Sequence, residues 1–513
     1  MDFTHLHVHT EYSLLDGSNK IKECVARVKE LGMNSVAITD HGVMYGVIDF
    51  YRAARAAGIK PILGCEVYVA PGSRFDKEAV GSGEDRYYHL VLLAENDLGY
   101  HNLMKIVSRG FTEGYYYKPR VDLEVLQEFH EGIIALSACL AGEVQKNILR
   151  GMYEEGKAAA LRYQDIFGKG NFFLELQDHG MQEQQIVNQS LLRMSQETGI
   201  ELVATNDVHY TYAEDVKPHD ILLCIQTGKK LADEDRMRYE GGQYYIKSEE
   251  EMKQLFPYAL QALENTQKIA DRCNVEIEFG VTKLPKYDVP EGYTSWEYLN
   301  KLCFDGLKER YPDGDDSLKE RLEYELSVIK SMGYVDYFLI VWDFINYARS
   351  QNIMVGPGRG SAAGAMVAYA MGITELDPLE HGLIFERFLN PERVSLPDID
   401  VDFDPDGRGR VLDYVGEKYG RDKVAQCVIY GTIKTKQALK DSARIMGYDF
   451  SVGDKITKAL PPAQTGGKDI PLRDIFDPSA KRYAEAREFR ELYDSDPDAK
   501  RITDEAMGIE GLI

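Results

Sequence analysis

Phe3-Thr4-His5-Leu6-His7-Val8-His9 decides how the first half of the chain is read. Apolar residues alternate with imidazoles, as along a strand with one side on a core. That register puts His5, His7 and His9 on one face. Similar apolar runs recur at Ser35–His41, Lys60–Val69, Tyr88–Glu95, Gly132–Leu140, Phe172–His179 and Glu201–His209, each followed by a helix-like stretch or a loop. Strands alternating with helices predict a parallel α/β sheet. Seven such units predict a closed or nearly closed barrel, with its chemistry at the C-terminal strand ends.

The residues at those ends are metal-ligand types. His7, His9 and Asp16 belong to the first unit, His41 ends the second and Glu66 lies in the third. His89 is in the fourth, Cys139 closes the fifth, and Asp207 and His209 close the seventh. Imidazole, thiolate and carboxylate converging at one barrel mouth predict a transition-metal site. Ten of the 11 histidines lie before residue 220, so the chemistry is concentrated here. His5, Glu175 and His179 are second-tier candidates, and His101, His130 and His219 are assigned to the surface or loops.

At 513 residues the chain is long enough for about three domains. With 44% apolar and 28% charged residues it reads as an ordinary globular protein with ample core. The N-terminus lacks a basic-then-apolar leader, and no run of about 18 apolar residues follows, so no secretion signal or membrane span is expected. Seven scattered cysteines without a CxxC pair suit a reducing cytoplasm and argue against a disulfide framework or zinc ribbon. A net charge of −24 disfavours generic nucleic-acid binding, although a local basic face is what decides.

Residues 276–294, with Pro285, Pro290 and Gly292, read as a linker. Helical patterns follow over Ser295–Met332 and Tyr337–Ser350. Then comes Val355-Gly356-Pro357-Gly358-Arg359-Gly360-Ser361, where glycines permit close approach to phosphate and Ser361 is expected to open a helix. Arg359 adds a charge-assisted contact, and Arg387 is a further phosphate candidate. The loop is neither a Walker A motif nor a dinucleotide fingerprint. About 40 residues on stands Pro397-Asp398-Ile399-Asp400-Val401-Asp402-Phe403. As a strand it would carry three carboxylates on one face, roughly 6.6 Å apart. Each neighbouring pair would repel by about 2.5 kcal/mol at an effective dielectric near 20, a cost that bound cations offset. Asp402–Gly407 with Asp413 is also spaced like a calcium loop, but Pro405, the arginines at 408 and 410 and the missing terminal Glu count against it. Beyond it, Lys436, Lys440 and Arg444 recur every four residues on one predicted helix face, suited to phosphate contact. Ala459–Gly467 reads as a loop and Ser479–Tyr493 as a charged helix.

Two resemblances follow. His7-Val8-His9, Asp16, Thr39-Asp40-His41, Glu66, His89, Cys139 and Asp207-Val208-His209 resemble the polymerase-and-histidinol-phosphatase (PHP) family of metal-dependent phosphoesterases. That likeness implies a distorted seven-stranded barrel holding up to three ions, Zn²⁺ or Mn²⁺, and a 3′–5′ exonuclease acting as proofreader. Tyr337–Trp342, Gly356–Gly364, Phe385–Pro391, Val394–Phe403 and Tyr430–Lys436 resemble the palm of C-family bacterial replicative polymerases. The implied fold class is α/β: the barrel over 1–275, a nucleotidyltransferase-like (polymerase beta-like) α+β palm over 276–432, a mostly helical thumb over 433–505 and a return into the palm over 506–513.

The implied activity is template-dependent deoxynucleotidyl transfer to a primer 3′ end. Asp400 and Asp402 would hold two Mg²⁺ ions, with Asp398 flanking, while Arg359, Gly360, Ser361 and Arg387 would hold the triphosphate. Implied partners are primer-template DNA, dNTPs, a sliding clamp, the clamp-loader tau subunit and a separate proofreading subunit. The alternatives are a chain whose only chemistry is that of the barrel, and a barrel that merely docks the proofreader. Family members are longer, so the chain is expected to be an N-terminal fragment lacking the third palm carboxylate and inactive in primer extension.

Overall fold

The computed structural model describes residues 3–78, 85–281, 283–392, 396–464, 467 and 469–513. Val394, Thr282 of the linker, and Thr465 and Gly466 of the 459–467 loop lie outside them. The chain forms two compact units, Met1–Ile277 with Tyr430–Ile513, and Glu278–Ile429.

The first unit is built on one curled sheet. Its strands are β1 (Ser35–Ile38), β2 (Lys60–Val69), β3 (Tyr88–Ala94), β4 (Arg120–Val121), β5 (Ile133–Leu136), β6 (Phe172–Leu176) and β7 (Leu202–Ala204). The order is β1-β2-β3-β5-β6-β7, with β4 paired to β2 alone. One residue or an alternating pair from each long strand (Ala37, Ile62, Val91, Leu93, Ile134, Leu136, Phe173, Val203) enters a single buried cluster. Their neighbours in sequence enter the larger cluster beneath the helices. This alternation is what a half-buried or doubly covered strand requires.

The expectation of an all-parallel sheet is corrected at β3, which runs antiparallel to both β2 and β5. Parallel neighbours need a crossover, usually a helix. The described part of the β2–β3 connection contains no helix, so the chain returns in the opposite direction.

Phe3–His9, expected as the first strand, is extended but makes only an isolated bridge, Val8 to Val208. Its bonds go to two neighbours. Ala37 N–H donates to His5 O at 3.0 Å and Thr39 N–H to Val8 O at 2.8 Å, while His9 N–H donates to Val208 O at 2.7 Å. The segment therefore links the β1 and β7 sides of the sheet. It is not a regular ladder because Val8 N–H donates to the Thr39 hydroxyl instead of to backbone. Leu6 and Val8 accordingly enter different core clusters.

Residues 430–513 contribute the helices Thr435–Ile445, Phe450–Lys458, Leu472–Phe476, Arg487–Ser495 and Pro497–Ile509. The expected helix over 479–493 is instead a 3-10 turn, Tyr483–Ala486, running into Arg487–Ser495. These helices share a core with Ile221, Leu222 and Cys224 of the helix Val216–Thr227. The sequence carries no local signal for that pairing, which joins segments over 200 residues apart.

The second unit packs the helices Ser295–Arg310, Asp316–Ser331 and Val335–Ser350 around Met366–Ala370. Thr294 and Glu297 form a reciprocal capping box at the first of them. The acidic segment after Pro397 is not a regular strand. Ile399, Val401 and Phe403 do pack on the core, but only Phe403 bridges, to Val355. Alternation survives without a ladder because, among the described residues, nothing else pairs with it. Asp404 then caps the helix Pro405–Tyr419, accepting from Gly407 N–H at 2.7 Å. Asp404 is thereby used in a helix start, which removes the calcium-loop alternative. Among the described residues, no helix is long and apolar enough to cross a membrane.

Candidate functional site

All nine expected ligands meet at one end of the curled sheet. His7 and His9 come from the extended N-terminal segment, and Asp16 from the turn after it. His41 follows β1 and bridges to Glu66 in β2. Cys139 follows β5, and Asp207 and His209 follow β7. His89 is near the N-terminal end of β3. The reversal of β3 explains this: its N-terminal end lies where parallel strands present their C-terminal ends.

Glu66 is the hub. Its Oε2 lies 3.3 Å from His7 Nε2, 3.0 Å from His9 Nε2 and 3.0 Å from His41 Nδ1. Its Oε1 is 2.9 Å from His89 Nδ1. Asp207 Oδ1 is 3.2 Å from both His7 Nε2 and His9 Nε2. Asp16 Oδ2 is 2.8 Å from His41 Nε2 and 3.7 Å from His209 Nε2. Cys139 Sγ lies 3.6 Å from His89 Nδ1. His9 is stacked between His41 and His209, with ring centroids 4.0 and 4.2 Å away.

These atoms are close, yet many are not hydrogen-bonded. His7 Nε2, His9 Nε2, His41 Nδ1, His209 Nε2, Glu66 Oε2, Asp207 Oδ1 and Asp16 Oδ1 are buried without a hydrogen-bond partner. Orphaned buried polar atoms are costly and rare. Seven in one cluster, all with lone pairs, fit a site for cations. Three overlapping donor sets are compact enough to hold an ion each: His9/His41/His209, His7/His9/Glu66/Asp207 and His41/Glu66/His89. The mixed nitrogen and carboxylate donors suit transition metals, with Asp16 and Cys139 beside the three sets but outside them.

The electrostatics agree. Burial pushes the carboxyls of Glu66 and Asp16 up, but the facing imidazoles outweigh it and hold both well below the usual range. Burial resists charge on His41, yet Glu66 and Asp16 raise it to about 10. Burial and the charges of His41 and His209 lower His9.

A second layer orients the ligands. His7 Nδ1 is 2.6 Å from Glu175 Oε1, and Glu175 also accepts from Ala138 N–H. Glu175 is thus a partner of a ligand and stands outside the three donor sets. His9 Nδ1 meets the Ser13 hydroxyl at 2.9 Å, and Ser13 donates to Asp40. Tyr239 donates to Asp16 at 3.2 Å. Asp40 stood beside a ligand in the sequence; nothing there pointed to Ser13 or Tyr239. Asp207 and Ala138 hold positive φ, 45° and 65°, strain placed at the mouth.

Two second-tier residues and one dismissed histidine prove structural. His5 Nε2 is bound to Lys247 O and His179 Nε2 to Asn206 O. His219, expected at the surface, is 2% exposed and bound to Asp16 O. Its helix, Val216–Thr227, turns it inward against the Asp16 loop. Burial lowers each of these three to about 4. A histidine unfolds to a pKa near 6.5, so between pH 6.5 and 4 the unfolded chain binds more protons. Each therefore stabilises the fold fully above pH 6.5 and loses that contribution as pH falls to 4, roughly 3 kcal/mol apiece at most. Urea unfolding of the first unit is expected to weaken steeply across that window, and His219→Gln to flatten part of the slope.

In the second unit Arg359 lies between the acidic residues. Its Nη1 is 2.8 Å from Asp400 Oδ2 and its Nε 3.0 Å from Asp402 Oδ2. Both carboxylates thus converge on one point of positive charge. Gly356 N–H donates to Asp402 O at 2.8 Å, tying the Gly-rich loop to the acidic segment. Gly360, at φ 69°, passes close to Asp400, where a Cβ would lie 3.6 Å from Oδ2. Ser361 is exposed and lies in a 3-10 turn, Gly360–Gly364, rather than opening an α-helix, because Ala365 is extended. Asp398 and Arg387 are exposed.

Lys436, Lys440 and Arg444 do lie on one helix, but partly engaged. Lys436 pairs with Asp469 at 3.1 Å, Arg444 is 3.7 Å from Asp441, and Lys440 stands over the Phe450 ring.

Residues 5–179 match the PHP domain, and residues 297–513 match the bacterial DNA polymerase III alpha NTPase domain. The chain is 48% identical over its whole length to a DNA polymerase III subunit alpha of Mycobacterium tuberculosis, covering 45% of that protein. It is 45% identical over 99% of its length to the Borreliella burgdorferi subunit, covering 43% of it. A solved amidohydrolase of Chromobacterium violaceum overlaps 40% of the chain and 88% of its own length at 15% identity and a TM-score of 0.26, too distant to bear on the site. The chain spans about half the length of the curated relatives it matches. By its two family matches and its full-length similarity to these subunits, the chain belongs to the bacterial DNA polymerase III alpha family.

Proposed function

We propose that the barrel mouth is a multinuclear metal centre that hydrolyses 3′ DNA ends, within a replicative DNA-directed DNA polymerase. The observation that carries this is the cluster of seven buried, unpartnered donor atoms. His7, His9, Asp16, His41, Glu66, His89, Cys139, Asp207 and His209 would hold up to three Zn²⁺ or Mn²⁺ ions. Bound there, such ions acidify water and neutralise charge developing on a phosphate. The chain's own residues hold the geometry: Glu175 sets the ring of His7, and Ser13 with Asp40 sets that of His9. A centre fixed by such outer partners keeps its ligands oriented.

Asp400 and Asp402 would hold two Mg²⁺ ions for deoxynucleotidyl transfer to a primer 3′ end, with Arg359, Gly360, Ser361 and Arg387 toward the triphosphate. The convergence of both carboxylates on one guanidinium supports this reading. Lys436, Lys440 and Arg444 would face template-primer DNA. In this reading residues 276–432 serve as palm and 433–505 as thumb. Partners of the whole protein would be primer-template DNA, dNTPs, the sliding clamp, the clamp-loader tau subunit and a proofreading subunit, in the cytoplasm.

The test uses 3′-labelled single-stranded DNA with Mn²⁺ or Zn²⁺. Nucleotide release is expected, falling at least about 100-fold in His9→Ala. No release from protein of confirmed metal content would overturn the nuclease reading and leave a scaffold.

A further inference from the structure

One side of the barrel mouth is walled by aromatic rings that the metal centre does not use. Tyr68 on β2 stacks 6.1 Å from His41 and meets His89 edge-on at 5.3 Å. Tyr87 lies parallel to His89 at 6.0 Å and edge-on to Tyr68 at 4.9 Å. Lys118 Nζ stands 5.5 Å over the Tyr68 ring, and Arg86 stands 4.4 Å over the ring of Tyr117. Tyr117 is 61% exposed. The rings and cations thus run from two ligand histidines out to solvent.

Strand pairing builds this wall. Tyr68 is registered against His89 on one side and against Arg120 of β4 on the other. The two-residue β4 therefore holds the 115–119 loop beside Tyr68. Nearby Lys146 and Arg150 are neutralised by Asp85, at 3.0 and 2.7 Å. Among the described residues, no ion pair engages Arg86 or Lys118.

Unpaired cations interleaved with aromatic faces are how proteins hold single strands without reading sequence. We infer that Tyr87 and Tyr117, backed by the buried Tyr68 and flanked by Arg86 and Lys118, form a stacking wall that holds the terminal nucleotides of single-stranded DNA beside the metal centre. Bases lie against the rings and phosphates against the two cations. This rests on the barrel mouth receiving a 3′ end, and it makes the substrate a frayed single strand rather than a duplex or a small phosphoester.

The experiment uses the whole 513-residue chain in chelator, so that binding is read without hydrolysis. A deoxythymidine decamer carrying 5-iodouracil at its 3′ end is photo-crosslinked, and the adduct is mapped by mass spectrometry. The adduct is expected on Tyr87 or Tyr117. Its yield at sub-saturating DNA should fall about 5- to 100-fold in Tyr87→Ala and in Tyr117→Ala, and less in Tyr87→Phe. An oligonucleotide abasic at its last positions should compete poorly for wild type, with an affinity that Tyr87→Ala leaves unchanged. Adducts mapping only elsewhere, or yields unchanged in both alanine variants, overturn the wall. Hydrolysis with Mn²⁺ is assayed separately. A mapped wall without hydrolysis sinks the nuclease reading and not this one, whereas hydrolysis with no wall adduct sinks this one alone.

Discussion

Glu66→Gln is expected to strip metal from two of the three donor sets at the barrel mouth. Two carboxylate oxygens of one residue face four imidazoles at 2.9 to 3.3 Å. Two of the three compact donor sets contain Glu66. Gln keeps the size but removes the charge, and one of its two positions becomes a donor, which cannot ligate a cation. Loss of a partner outside the ligand set already costs 10- to 100-fold in affinity. Loss of a shared anionic ligand should therefore cost at least about 1,000-fold, or ~4 kcal/mol. The readout is metal content after dialysis and the melting shift between metal-loaded and chelated protein. Ligand-linked stabilisation reaches ~2.7 kcal/mol at a hundredfold excess over Kd, so wild type should shift by several degrees and the variant by clearly less. The proposed release of 3′ nucleotides should fall with it. A variant that retains the metal content of the parent would show that Glu66 is not the hub.

Gly306→Ala is expected to destabilise the second unit by about 2 kcal/mol or more. Two effects oppose. Ala in place of Gly inside the helix Ser295–Arg310 favours folding by about 1 kcal/mol. However, a Cβ at 306 would fall 1.8 Å from the Ala370 carbonyl oxygen and 2.7 Å from its carbon. Those are backbone atoms, so no rotamer relieves the clash and one helix must shift. Met366–Ala370 follows the Gly360–Gly364 turn directly, so the shift propagates to the loop that carries Arg359. Urea unfolding should show a lower midpoint, and the Mg²⁺ binding proposed for Asp400 and Asp402 should weaken. Equal or greater stability would mean that helix propensity wins and the close approach is slack.

Much of the site was legible because its ligands sit in short sequence pairs at the ends of apolar runs. His7-Val8-His9 and Asp207-Val208-His209 are examples, and in the structure Val8 and Val208 bridge to each other. The local apolar residue thus places two ligand pairs side by side. The burial of His219 is not legible locally, because its helix carries little signal of which side is buried. Its burial depends on Asp16, 203 residues away in sequence. His5 shares the alternation of His7 and His9, yet binds the Lys247 carbonyl. A face shared on paper is lost where a segment divides its hydrogen bonds between two neighbours.

The sequence by itself determined the barrel's apolar runs, the nine candidate ligand positions and the acidic Asp398–Asp402 row, since these rest on local periodicity and residue chemistry. Only the tertiary structure decided the direction of β3, the sharing of Glu66 among four imidazoles, the wall around Tyr68 and the clasp of Arg359 on Asp400 and Asp402. The reason is physical. Periodicity reports which side of an element meets a core, whereas these features depend on which distant segment supplies the missing hydrogen bond or countercharge.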